Sequence, residues 1–169
     1  MWKNTGRERP DFAIEPGPDQ ESVWDYPRPP AIDRETAQIE VKSNGVVIAS
    51  ASEALVIRET ASPPTWYLSP DALVEGALVK VSGSSFCEWK GEAEYFALAN
   101  DPGVPVAWTY PNAAAPFDGV SGWLSFYPAR VDCFVDGERV RAQAGGFYGG
   151  WITPNVVGPF KGDPGTGHW

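Results

Sequence analysis

Gln38-Ile39-Glu40-Val41-Lys42-Ser43-Asn44-Gly45-Val46-Val47-Ile48-Ala49-Ser50 is the stretch that decides the fold class. Its first five residues alternate polar and apolar, the period of a strand with one buried face. Asn44-Gly45 then supplies a pair that tolerates the positive φ of a two-residue hairpin, and residues 46–50 form the return strand. Residues 54–60 read as a third strand. On it Leu55, Ile57 and Glu59 share one face, while Val56 and Arg58 share the other.

Outward from this hairpin the same period recurs. Strands are expected over residues 78–82, 93–99, 104–110, 120–127 and 131–135, the last turning through Asp136-Gly137 into 138–142. Only residues 69–76 look helical, with Ser69 as cap, Pro70 in the first turn and Gly76 at the end. Roughly eight or nine short strands imply an all-β fold: two antiparallel sheets forming a small sandwich or a partly open barrel. Residues 1–36 read as an extended Pro-rich arm, 37–142 as the all-β core domain, and 143–169 as a Gly- and aromatic-rich tail packed on the core. The arm is expected to lie on its own domain through Trp24 and Tyr26, with a docking peptide for a proline-recognising partner as the alternative. The tail reads as a strap over a sheet edge or over the mouth of the barrel.

Composition removes several functional classes. The chain has 169 residues, 43% hydrophobic and 21% charged, with a net charge of −9. Residues 61–129 hold 2 basic and 7 acidic groups, so the middle of the chain is the most acidic part. Binding to nucleic acid draws chiefly on cationic excess, and no segment has one. No apolar run is long enough for a membrane span, and the proline-rich start does not resemble a secretory signal, so a cytoplasmic location is expected. Cys87 and Cys133 are too few for a disulfide framework and lack zinc-site spacing. The one histidine, His168, is the penultimate residue, which argues against a histidine-based triad or metal cluster. No metal and no cofactor are expected. The protein is read as a monomer or a homodimer.

The densest cluster of reactive types is Ser84-Ser85-Phe86-Cys87-Glu88-Trp89-Lys90-Gly91, read as a loop between strands. A thiol three residues from an ammonium is a candidate thiolate; otherwise Cys87 is a small core residue and Lys90 a structural cation. Glu59 shares a face with Leu55 and Ile57, where an isolated carboxylate is costly, so it is expected either to find a cation, with Lys90 and Arg28 as candidates, or to lose its charge. Such a pair is either structural or the polar floor of a pocket walled by Trp66, Tyr67, Tyr95, Trp108 and Tyr110. Glu59 with Glu88, Glu92 or Glu94 is the sole carboxylate pair to nominate for glycosidase chemistry. Gly83-Ser84 followed by Glu92-Ala93-Glu94 superficially matches a two-metal transferase motif, but its surroundings are all-β and it reads as chance.

Taken together these segments resemble the family known as domain of unknown function 427, sometimes labelled nucleotidyltransferase-like. The resemblance rests on Trp24-Asp25-Tyr26-Pro27-Arg28-Pro29-Pro30, on Glu59-Thr60 with Pro63-Pro64-Thr65-Trp66-Tyr67, and on Cys87-Glu88-Trp89-Lys90-Gly91-Glu92-Ala93-Glu94-Tyr95. It continues through Ala107-Trp108-Thr109-Tyr110, Gly122-Trp123-Leu124-Ser125-Phe126-Tyr127 and Gly149-Gly150-Trp151. It implies a mostly antiparallel β domain whose two sheets enclose a polar cleft; the transferase label is a name rather than an activity. Trp66 and Ser85 stand where many members carry Tyr and Thr.

The expected function is binding of a small polar or anionic ligand in an aromatic-lined pocket. That pocket would gather Glu59, Tyr67, Cys87, Lys90, Tyr95, Trp108 and Tyr110, with Arg28 from the arm as a lid. Two alternatives stand beside it: an enzyme using Cys87 or Lys90 as catalytic group, with Glu59 a further candidate, and a protein-interaction or structural module with no small-molecule ligand.

Overall fold

The computed structural model describes residues 2–169. A short strand β1 (Glu21–Ser22) precedes a long hairpin, β2 (Ala31–Ser43) and β3 (Val46–Arg58), after which comes β4 (Thr65–Tyr67). The next strands are β5 (Leu78–Cys87), β6 (Gly91–Leu98), β7 (Asp101–Thr109) and β8 (Leu124–Phe126). The chain closes with β9 (Asp132–Val135), β10 (Glu138–Arg139), β11 (Arg141–Ala142), β12 (Trp151–Ile152) and β13 (Val156–Val157).

Two antiparallel sheets carry the fold, one ordered β10-β9-β2-β3-β4 and the other β5-β6-β7-β8. They meet at one edge, where Leu68 and Leu124 exchange backbone hydrogen bonds of 2.7 and 2.9 Å. No sheet closes into a barrel, and the arrangement is that of an open sandwich. Between the sheets lies a core that includes Ile39, Val41, Val56, Trp66, Val106 and Phe126. A second cluster, built on Leu55, Ile57, Tyr67, Trp108 and Tyr110, lies on the opposite face of β3. Val56 alternates with Leu55 and Ile57, so one strand serves both interiors.

Two of the hairpin turns, β2–β3 and β9–β10, have the backbone their residues favour. Asn44 and Gly45 sit at φ 49° and 79°, and Asp136 and Gly137 at φ 50° and 82°, the double positive φ of a type I′ turn. The arm packs on the C-terminal segment. Its β1 pairs in parallel with β13, and Val23, Trp24 and Tyr26 are buried with Ile152 and Val156.

Several boundaries differ from the sequence reading, each for a local reason. β2 begins at Ala31, because Asp33 and Glu35 are held by Arg58 of β3 and need no buried face of their own. The expected third strand is the second half of β3: Ser52-Glu53 carries no turn chemistry, and Glu53 pairs with Arg34 at 2.8 Å. Residues 69–76 hold only a 3-10 turn, Pro70–Ala72, capped by Ser69, and the chain leaves it so that Leu73 can bridge Ala49. Ser84 to Cys87 lie within β5, leaving Glu88-Trp89-Lys90 as the hairpin turn. Residues 138–142 split: β10 pairs with β9, and β11 with β12.

Candidate functional site

The site is built where three parts of the chain converge. β3 ends by directing Ile57 and Glu59 to one side, β4 adds Thr65 and Tyr67, and the β5–β6 hairpin brings Cys87, Trp89 and Lys90. β6 and β7 contribute Tyr95 and Trp108, with Tyr110 just beyond β7. Together they line a cavity of about 270 Å³.

Its polar groups are ordered by specific contacts. The indole Nε1 of Trp108 donates to the Tyr67 hydroxyl at 3.3 Å, so the Tyr67 proton is left to point elsewhere. The hydroxyls of Ser85 and Tyr95 lie 2.6 Å apart. The Cys87 thiol faces both the Lys90 ammonium and the Tyr110 hydroxyl. Lys90 lies over the Tyr110 ring, 5.3 Å from its centroid. Burial opposes the charge on Lys90, but Tyr67, Cys87 and Glu59 outweigh it, and its pKa is raised. Burial drives Tyr67 and Tyr110 upward as well, so at neutral pH Lys90 is an ammonium among protonated phenols. Lys90 forms no ion pair among the described residues, and the Trp89 Nε1 is buried without a hydrogen-bond partner.

Seven of the eight residues expected at the site line this one cavity: Glu59, Tyr67, Cys87, Lys90, Tyr95, Trp108 and Tyr110. Arg28 lies outside the lining. Its Nε meets Glu59 at 3.0 Å, and its terminal nitrogens donate to the backbone oxygens of Asn4, Thr60 and Trp169 at 3.0 to 3.1 Å. With the Trp2 ring 4.0 Å away, it is a buried strut rather than a lid. Trp66, expected as a pocket wall, faces the inter-sheet core and stacks on Trp151 at 5.8 Å; neighbours on a strand point to opposite sides, so Tyr67 and Trp66 cannot share the cavity. Of the carboxylates named for a glycosidase pair, Glu88 reaches the cavity and Glu94 is paired with Lys80 at 3.0 Å. Among the described residues no three His, Cys, Asp or Glu side chains converge as metal ligands.

The tail forms one wall of the cavity. Residues 143–150 form a strap fastened at its base, where the Gly150 amide donates to Gln143 Oε1 at 3.1 Å, and at its middle, where Arg130 donates to the Gly146 oxygen at 3.1 Å. Gly149 lies so close to Trp108 that a Cβ there would overlap the indole ring. The strap brings Phe147 and Tyr148 to the cavity, and Lys161 follows from the next segment. The Lys161 ammonium donates to the Trp169 oxygen at 3.3 Å, and burial with the neighbouring Arg28 charge lowers its pKa. Lys161, Tyr127 and Tyr148 were not among the expected site residues. The one signal for the last was the run Gly145-Gly146-Phe147-Tyr148-Gly149-Gly150, which marks a strap without indicating what it covers.

No helix among the described residues is long and apolar enough to cross a membrane. No curated protein matches the sequence. Residues 31–137 match the family described as Domain of unknown function (DUF427), a segment that runs from the start of β2 through the turn after β9 and contains all seven cavity residues named above. The chain belongs to the DUF427 family.

Proposed function

We propose that the protein binds a small anionic ligand, with Lys90 as the anchoring cation. The observation that carries this reading is the Lys90 ammonium itself, held in an aromatic cavity with no carboxylate paired to it among the described residues. Of the two carboxylates that line the cavity, Glu59 is committed to Arg28 and Glu88 forms no ion pair with Lys90, so the charge on Lys90 is left for an incoming group. A buried charge without a partner is costly, and a ligand that supplies one recovers part of that cost. A further donor supports the same polarity: the Tyr67 hydroxyl proton, whose oxygen already accepts from Trp108. The cavity is concave, with aromatic walls and polar groups set among them, a make-up that suits a small polar molecule. Both cysteines are free, which suits a reducing compartment, and we place the protein in the cytoplasm.

Titration with acetate, followed through the indole N–H signal of Trp89, tests this reading. A saturable shift in the wild type that is absent in Lys90→Gln is expected. An unmoved Trp89 signal in the wild type would sink the proposal.

A further inference from the structure

We infer that the ligand is a monocarboxylate carrying a single apolar ring, its carboxylate at Lys90 and its ring held under the strap by Phe147. This rests on the reading of Lys90 as the anion anchor and adds the chemical class. Three observations lead to it.

Size comes first. A cavity of about 270 Å³ falls just below the roughly 300–1,000 Å³ of drug-sized sites, while an apolar cavity of about 150 Å³ already takes benzene. One ring and a carboxylate fit such a space.

Charge comes second. Glu59 is paired with Arg28, and Glu88, the other carboxylate in the lining, forms no ion pair with Lys90, which leaves Lys90 as a cation without a salt-bridge partner. The second lysine, Lys161, is tied to the Trp169 oxygen and is itself made less basic by burial and by Arg28. No arginine is among the lining residues. A phosphate dianion would therefore bring in one negative charge more than the inner site balances, whereas a carboxylate matches it.

The third observation is the mouth. Phe86 is 76% exposed and Phe147 is 70% exposed, and both line this cavity. They come from different parts of the fold, β5 and the strap, and leave two large apolar side chains uncovered beside an entrance whose inner end is cationic. Phe147 stands edge-on to Tyr148, with ring centroids 5.5 Å apart. An amphipathic acid of one ring complements both features, with its charge inward and its ring against Phe147.

The test compares acetate, benzoate and phenyl phosphate on the intact protein, each followed by the Trp89 indole N–H shift, in the wild type, Phe147→Ala and Lys90→Gln. Benzoate is expected to bind about tenfold more tightly than acetate, because its ring is removed from water and the methyl of acetate gains far less. Phe147→Ala, a change at an exposed side chain, should remove most of that advantage and leave acetate unchanged. Phenyl phosphate should bind more weakly than benzoate at pH 8. Benzoate and acetate within about twofold of each other, an unaltered benzoate affinity in Phe147→Ala, or tighter binding of phenyl phosphate would each overturn the inference while leaving Lys90 as an anion anchor. Failure of all three probes to shift the wild-type signal would remove both.

Discussion

Arg28 and Glu59 form an ion pair of 3.0 Å in which the arginine side chain is 1% exposed and the glutamate 23%. The pair joins the arm to the end of β3 and offsets the charge of Glu59, which also lines the cavity. Arg28 also satisfies three backbone oxygens from distant parts of the chain. Its loss removes the side-chain donor to the Asn4 and Thr60 oxygens and leaves the Trp169 oxygen to Lys161 alone.

Arg28→Met is therefore expected to destabilise the fold by about 3 kcal/mol, the lower end for breaking a buried pair, since Glu59 keeps some contact with water. Chemical denaturation measures it. A loss below about 0.5 kcal/mol, as for an ordinary surface substitution, would contradict the role of Arg28 as a strut.

The strap depends on the absence of a side chain at one position. Gly149→Ala places a methyl group into the Trp108 ring, whereas a Cβ at Gly146 meets nothing within 4 Å. The first substitution should cost about 1–3 kcal/mol as overpacking, and the second should leave stability near the wild-type level. Melting temperatures of the two variants side by side decide this, and equal values would show that the strap does not press on Trp108.

Alkali should unfold the protein through its phenols. Burial raises the pKa of Tyr26, Tyr67 and Tyr110 above the ordinary 10.0, and pushes Tyr127 up to about 12. A raised folded-state pKa means that above pH 10 the unfolded chain has lost protons the native state retains. Stability is thus fully present below pH 10 and falls as pH rises toward the folded values, by up to about 1.4 kcal/mol per pH unit for each group. Absorbance at the phenolate band should show a late, cooperative component coincident with loss of structure. Tyrosines that all titrate near 10 in the folded protein would refute it.

The two cysteines should differ in access. Cys87 lines the cavity and is half-buried, whereas Cys133 is buried in the inter-sheet core and its pKa is raised by that burial. Iodoacetamide should modify Cys87 in the native protein and reach Cys133 only after unfolding. Saturating benzoate should slow the reaction at Cys87. Equal rates with and without benzoate would separate the thiol from the ligand site.

Much of this was legible where neighbouring residues decide the outcome. Asn44-Gly45 and Asp136-Gly137 specify their turns. Glu59 on an apolar strand face calls for a cation, and Arg28 answers it. Cys87 and Lys90, three residues apart across a tight hairpin, come to one cavity with the aromatics of β4, β6 and β7. What escaped the sequence is non-local. β4 has three residues, too few for alternation to say that Tyr67 faces the cavity while Trp66 faces the core. Lys161 and Tyr148 sit in irregular backbone, which has no period to read; Tyr148 is placed by where the strap is fastened, through Gln143 and Arg130, and Lys161 by its amide bond to the Ala61 oxygen.

Native mass spectrometry of gently purified protein, wild type beside Lys90→Gln, tests the central claim most directly. The account predicts a retained mass on the wild type, that of a small monocarboxylic acid, which is absent from the variant. A retained mass that persists undiminished in Lys90→Gln would contradict the assignment of Lys90 as the anchor.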